Sequence, residues 1–386
     1  MKEVTFTSSI TTIENEAFKD CCRLVEIKNL TGATKIGERA FQNCDIINIS
    51  IPSTLTTISK SCFHGCKHLI YVELPSTITI IEERAFYDCP LLKHISIPSS
   101  VKYIGNSAFS GCSSISTITI PSLIEKIEDN AFNLCSSLEK VINYSQFVSI
   151  GKHAFNKCIF KEFIIPSTVT SIDDYAFAGY IELEQILTPS SVTFIGDYAF
   201  QGCFLLKQIT IPSSVKSVGS GVFSNCSSLE QITILAPLTL INGFFCSSCK
   251  SLKKIELPSS ITAIKYNAFS QCNSLEELNI PSSVSIVEEF CFDRCLKLSS
   301  LKIPPSVKEI KNSLCKDCVS LTEISIPSSV ESIGFNAFRG CVMLKLITIP
   351  SSVKNIDNYA FYECKELQSL VIPESVISIR INAFFG

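Results

Sequence analysis

The sequence predicts a single curved, right-handed solenoid of parallel β-strands that spans residues 1–386. One motif recurs about 16–17 times along the chain, at an interval of about 23 residues. Within each copy two isoleucines alternate with polar residues, which is the pattern of a strand that buries one face. A proline follows the second isoleucine in most copies. It ends the strand, since proline donates no hydrogen bond to a ladder.

A phenylalanine marks the first position of the motif in 15 of 17 copies, and Cys246 and Cys315 are the exceptions. Fourteen of the sixteen spacings are 23 residues and two are 22. The first positions are 18, 41, 63, 86, 109, 132, 155, 177, 200, 223, 246, 269, 292, 315, 338, 361 and 384. From this position the motif reads F-x-x-C-x-x-L-x-x-I-x-I-P-S-S-V-x-x-I-G-x-x-A. Such a fixed period predicts that each copy contacts mainly its neighbours.

Each part of the motif predicts one element of a coil. The L-x-x-I-x-I segments form strands that stack into a parallel sheet on one side. The S-S-V-x-x-I segment makes a turn and a short extended segment on the other side. The glycine that follows suits a turn with positive φ. The x-x-A-F-x-x-C segment is expected to form a short helical turn.

Cysteine is abundant, with 20 residues, and 15 of these stand three residues after the first motif position. A small thiol that recurs at one core position is an ordinary buried side chain. Neighbouring residues of such a ladder have parallel Cβ directions, which disfavours disulfides. The sequence therefore predicts buried, free thiols.

The motif resembles the leucine-rich repeats of the BspA-like group, which includes surface antigens of bacteria and parasitic protozoa. The copy with Leu206, Ile209, Ile211, Pro212 and Phe223 is close to that group's pattern, and the resemblance covers essentially the whole chain. It implies a leucine-rich repeat solenoid that is displayed on a cell surface, through a non-classical route, and adheres to host proteins or other cells.

Composition favours a protein that is not an enzyme. The net charge is −3 with no basic cluster, which argues against nucleic-acid binding. The strongest ligand cluster is Cys62, His64, Cys66 and His68, but both cysteines occupy core positions and both histidines fall in a turn. No catalytic arrangement stands out, and we expect neither a metal nor another cofactor.

Location and self-association are also open to prediction. No apolar run is long enough to span a membrane, and the first residues lack the apolar stretch of a secretory signal. The chain alone therefore predicts a cytoplasmic protein, so an intracellular scaffold or adaptor stays open as the alternative to surface adhesion.

The chain starts and stops within the repeat without separate cap sequences, from which we expect end-to-end self-association.

The outward positions of the sheet form the expected surface for a protein partner. Ile142, Ile164 and Leu187 place an apolar residue at the same outward site in three consecutive copies, where most copies are polar. Lys140, Glu162 and Gln185 flank them. An apolar strip with a polar rim is typical of a binding hot spot. We therefore predict that these six residues bind a protein partner.

Overall fold

This computed structural model describes residues 1–143, 145–160 and 163–386. The chain divides into two compact units, Met1–Leu183 and Glu184–Gly386. Each unit is built from successive coils of about 23 residues whose strands are parallel. The solenoid architecture is thereby confirmed, while the assignment of the whole chain to one domain stays a prediction.

Most coils contribute short strands to two ladders. We call the ladder of the L-x-x-I-x-I segments the front ladder and that of the V-x-x-I segments the back ladder. The strands of the first unit are β1 (Glu3–Thr5), β2 (Thr12–Ile13), β3 (Glu26–Lys28), β4 (Lys35–Ile36), β5 (Asn48–Ser50), β6 (Thr57–Ile58), β7 (Tyr71–Glu73), β8 (Ile80–Ile81), β9 (His94–Ile95), β10 (Tyr103–Ile104), β11 (Thr117–Ile120), β12 (Lys126–Ile127), β13 (Lys140–Asn143), β14 (Ser149–Ile150) and β15 (Ser171–Ile172).

The second unit repeats this plan. Its strands are β16 (Phe194–Ile195), β17 (Gln208–Ile211), β18 (Ser217–Val218), β19 (Gln231–Ile234), β20 (Leu240–Ile241), β21 (Lys254–Ile255), β22 (Ala263–Ile264), β23 (Ile286–Val287), β24 (Ser300–Lys302), β25 (Glu309–Ile310), β26 (Glu323–Ser325), β27 (Ser332–Ile333), β28 (Leu346–Thr348), β29 (Asn355–Ile356) and β30 (Ser378–Ile379).

Equivalent motif positions pair in register. On the front ladder of the first unit, Tyr71 pairs with Asn48 on one side and with His94 on the other. On the back ladder, Ile81 pairs with both Ile58 and Ile104. The alternation within each strand therefore puts the same motif positions on the core side of every coil.

Stacked phenylalanines run through the core. The rings of Phe63 and Phe86 lie 5.4 Å apart and almost parallel, and Phe86 stacks on Phe109 at 5.5 Å. In the second unit Phe200 stacks on Phe223 at 6.0 Å, and both are fully buried. Large aromatic side chains contribute much of the buried apolar area that stabilises a fold.

The A-F-x-x-C segment is a run of turns and not the predicted helical turn. Arg84 and Asp88 have left-handed backbone angles, with φ of 56° and 57°. The amides of Arg84, Phe86 and Asp88 donate to the next coil, whereas those of Ala85 and Tyr87 donate to the carbonyl three residues back. Left-handed residues interrupt a right-handed helix. Among the described residues the one helix is a short 3-10 turn, Leu30–Gly32.

The glycine after the back-ladder isoleucine is needed for close packing and not for a positive φ. Gly105 and Gly219 lie outside the left-handed region. A Cβ atom on Gly105 would lie 2.6 Å from the backbone nitrogen of Glu83, and one on Gly219 would lie 2.4 Å from that of Asp197. The predicted reason for this glycine was therefore wrong, since the preceding coil leaves no room for a side chain.

The prediction of buried free thiols is confirmed. All 20 cysteines are free and 18 of them are buried, while Cys21 is partly exposed and Cys22 is exposed. At the motif position, 13 of the thiols donate to the carbonyl at the first position of the preceding coil. Cys135 does so to Phe109 at 3.2 Å, and Cys226 to Phe200 at 3.1 Å. Tyr180 replaces the cysteine in one copy, and its hydroxyl donates to the carbonyl of Phe160.

Candidate partner-binding site

The six predicted residues are divided between the two units. Lys140 and Ile142 belong to β13, and Ile164 follows in the next coil of the first unit. Gln185 and Leu187 belong to the second unit, and Glu162 lies outside the described residues. Each unit is therefore considered by itself, and the binding role of the six residues stays a prediction.

The side chains around Ile164 alternate between buried and exposed as predicted, although the segment forms no strand. The side chain of Ile164 is 84% exposed, whereas those of Phe163 and Ile165 are 7% and 5% exposed. Leu187 of the second unit is 87% exposed, and Gln185 is exposed as well. Ile142 is half-buried and is therefore less available to a partner than its outward position suggests.

Lys140 and Ile164 line one groove of about 950 Å³ in the first unit. Its walls also include Val141 and Pro166, with Gln146 at the polar margin. Its volume exceeds those of three other grooves, of about 690, 600 and 530 Å³. It combines an apolar floor with a polar rim, as protein-binding sites do.

The groove lies where the front ladder is interrupted. Among the described residues, β13 pairs only with β11, and Phe163–Ile165 form no strand. The chain leaves β13 through a side-chain turn, because Asn143 Oδ1 accepts hydrogen bonds from the amide and the hydroxyl of Ser145, both at 3.0 Å. An Asx turn takes the place of the proline that ends other strands.

An aromatic cluster supports the exposed isoleucine from the core side. The ring of Phe163 lies 5.1 Å from Phe155 and 5.2 Å from Phe160, and Phe160 packs on Tyr180 at 4.6 Å. The sequence analysis noted the 22-residue spacing but missed this cluster. The signal was present as Phe160 and Phe163 in the shortened copy.

Two further grooves on the front face were also missed. One, of about 600 Å³, lies between β3 and β5 and includes Leu30 of the 3-10 turn. The other, of about 690 Å³, lies between β9 and β11 and includes Tyr71 and His94. Both coincide with interruptions of the front ladder, because neither pair of flanking strands is joined among the described residues. Sequence periodicity alone does not reveal where a ladder loses its hydrogen bonds.

The residues of the candidate metal-ligand cluster, Cys62, His64, Cys66 and His68, are divided between the core and the surface. Cys62 and Cys66 are buried, whereas His68 is exposed, with its Nδ1 atom 3.1 Å from Asp45. Burial raises the pKa of Cys62 and lowers the pKa of His64. Within residues 1–143, 145–160 and 163–386, no group of three or more potential ligands is arranged to hold a metal ion.

None of the described residues belongs to a helix long and apolar enough to cross a bilayer.

Comparison with known proteins identifies relatives of the whole chain. The family model for the BspA type leucine-rich repeat region (6 copies) matches residues 1–115, 34–159, 148–276 and 262–386. A leucine-rich repeat protein from Bacteroides ovatus is 26% identical, with a TM-score of 0.70, and the match covers 98% of this chain and 91% of that one. Another, from Eubacterium ventriosum, is 25% identical with a TM-score of 0.60, over 83% and 91% of the two chains. The sequence matches none of the curated proteins.

Proposed function

Because this chain belongs to the BspA-type leucine-rich repeat family, we propose that it is a non-catalytic protein-binding module whose site is the groove beside β13. Leucine-rich repeat folds generally bind proteins. The family match and the related structures identify this chain as a leucine-rich repeat protein. The proposal rests on one observation, which is that Ile164 lines this groove and is largely exposed.

Ile164 has the character of a hot-spot anchor. Its side chain is 84% exposed, so a partner that covers it gains most of the burial energy of an isoleucine. Lys140 and Ser167 are exposed on the same groove and provide a polar rim. Anchors of this kind dominate binding energy when surrounding polar contacts exclude water.

We also propose that the module acts in adhesion at a cell surface, which the family resemblance supports. The alternative is an intracellular scaffold, which the 20 free cysteines favour because thiols persist in reducing compartments. Labelling of a tagged protein in intact and in permeabilised cells separates the two. Signal from intact cells supports surface display, and signal only after permeabilisation supports the scaffold.

The binding proposal is tested by affinity capture with the parent chain, Ile164→Glu and Leu346→Glu. Leu346 is a matched control because it is an outward residue of the front ladder and is 64% exposed. We expect that the parent chain and Leu346→Glu both capture a protein that Ile164→Glu does not capture. Surface plasmon resonance with the purified partner should show the same difference in binding. Equal retention by all three proteins would refute the site.

A further inference from the structure

We propose that the groove between β9 and β11 is a second binding site, specific for an uncharged saccharide. It has a volume of about 690 Å³ and lies on the front face of the first unit. It is separate from the groove beside β13, since the two have no lining residue in common. The proposal therefore does not depend on the protein-binding function.

An interruption of the front ladder creates the groove. Among the described residues β9 pairs only with β7, and β11 pairs only with β13. One wall therefore comes from β7 and β9, and the other from Ser114 and Ser116, which precede β11, and from Thr117, its first residue. A concave site with polar groups that converge on it is the usual form of a small-ligand site.

Tyr71 provides an aromatic platform within this groove. Its side chain is 42% exposed and lies on the outward face of β7, in register with the exposed His94 of β9. The face of an aromatic ring carries partial negative charge and attracts weakly positive C–H groups. The ring faces of a sugar present such C–H groups together, which suits them to stacking on Tyr71.

The surrounding side chains match the hydroxyl groups of a sugar. Glu73 accepts a hydrogen bond from Ser50 Oγ at 2.8 Å through one carboxylate oxygen and keeps the other oxygen as an acceptor. The side chains of Tyr71, His94 and Thr117 make no hydrogen bond to another described residue. Phenol, imidazole and hydroxyl groups each donate and accept, as sugar hydroxyls require.

The charge of the groove favours a neutral ligand. Lys93 and Glu73 line it and offset each other, and no arginine takes part in the lining. Anionic ligands are usually held by arginine, whose fork matches carboxylate and phosphate oxygens. A peptide ligand would need apolar pockets for its side chains, whereas most of the residues around Tyr71 are polar. The observations therefore favour a hydroxyl-rich, uncharged molecule.

The test is saturation-transfer NMR of the full chain with neutral methyl glycosides of glucose, mannose, galactose and N-acetylglucosamine. We expect at least one glycoside to receive saturation, and its binding to weaken by about tenfold or more in Tyr71→Ala. Tyr71→Phe keeps the ring and should keep binding. Tyr103→Ala is the matched control, because Tyr103 is 43% exposed but lies on the back ladder.

Two results overturn the proposal. One is the absence of saturation transfer to every glycoside by the folded parent, and the other is unchanged binding by folded Tyr71→Ala. Ile164→Glu should bind the glycoside like the parent, so that failure of one site is distinguishable from failure of the other. Thermal unfolding of each variant, compared with that of the parent, establishes that the variant is folded.

Discussion

The thiol of Cys112 donates a hydrogen bond to the carbonyl oxygen of Phe86 in the preceding coil, at a distance of 3.1 Å. Both residues are fully buried. The bond satisfies a carbonyl at the point where the turn segment faces the core, while the sulfur packs as a small apolar group. One residue type thus serves packing and hydrogen bonding, which explains why the motif repeats cysteine at this position.

Replacement of Cys112 by serine should lower the free energy of unfolding by about 1–2 kcal/mol. Serine keeps a donor, but its shorter side chain packs less well and its hydroxyl loses more solvation on burial. Urea unfolding measures the loss. In the native parent, labelling of the buried thiols should stay slow, and rapid labelling of all cysteines without denaturant would contradict the buried ladder.

Alkaline pH should destabilise the protein through its buried thiols. Burial raises the pKa of Cys44 from its ordinary value of 9.0 to about 12. Because the folded pKa is above the unfolded value, the stabilisation is fully present below pH 9.0 and is lost as pH rises toward about 12. The free energy of unfolding, measured with urea across this pH range, should therefore fall less steeply for Cys44→Ala than for the parent. Parallel curves would contradict a shift at this thiol.

The two serines that follow Pro212 should differ in their effect on stability. Ser214 Oγ donates to the carbonyl of Val192 in the preceding coil at 2.7 Å, whereas Ser213 is exposed. Ser214→Ala should cost about 1 kcal/mol, and Ser213→Ala under about 0.5 kcal/mol. Chemical denaturation of both variants measures the difference, and equal effects would show that the hydrogen bond contributes nothing.

The stacked phenylalanines should contribute unequally according to their burial. Phe200 is fully buried, whereas Phe384 is partly exposed and stacks on Phe361 at 5.1 Å. Phe200→Ala should cost about 3–5 kcal/mol through lost burial and the cavity that remains, and Phe384→Ala much less. Calorimetric unfolding of the two variants provides the measurement. Equal losses would show that burial does not determine what each stacked phenylalanine contributes.

Periodicity was sufficient to predict the parallel ladders and the buried thiols. Both follow from the side-chain alternation of a strand and from the recurrence of one residue type in one phase, as the pairing of Tyr71 with His94 illustrates. The structure of the turn segment was not predictable in this way. Arg84 and Asp88 adopt left-handed angles, which are uncommon for residues other than glycine, and their amides donate hydrogen bonds to the next coil.

The candidate site was predicted only in part, for a similar reason. The alternation around Phe163 and Ile165 indicated that Ile164 points outward. The groove beside it depends on an interrupted ladder and on the turn made by Asn143 and Ser145, which are outcomes of coil packing. The half-burial of Ile142 also depends on neighbouring coils and has no signature within its own strand.

The neighbours Phe163 and Ile164 provide the sharpest test of how this irregular coil is oriented. Phe163 is 7% exposed and packs within 5.7 Å of Phe177, whereas Ile164 is 84% exposed. Phe163→Ala should therefore cost about 3–5 kcal/mol in the free energy of unfolding, and Ile164→Ala less than about 0.5 kcal/mol. Urea unfolding of the two variants gives both values under the same conditions. A large loss for Ile164→Ala would place that side chain in the core and would remove the basis for a partner-binding site on this face.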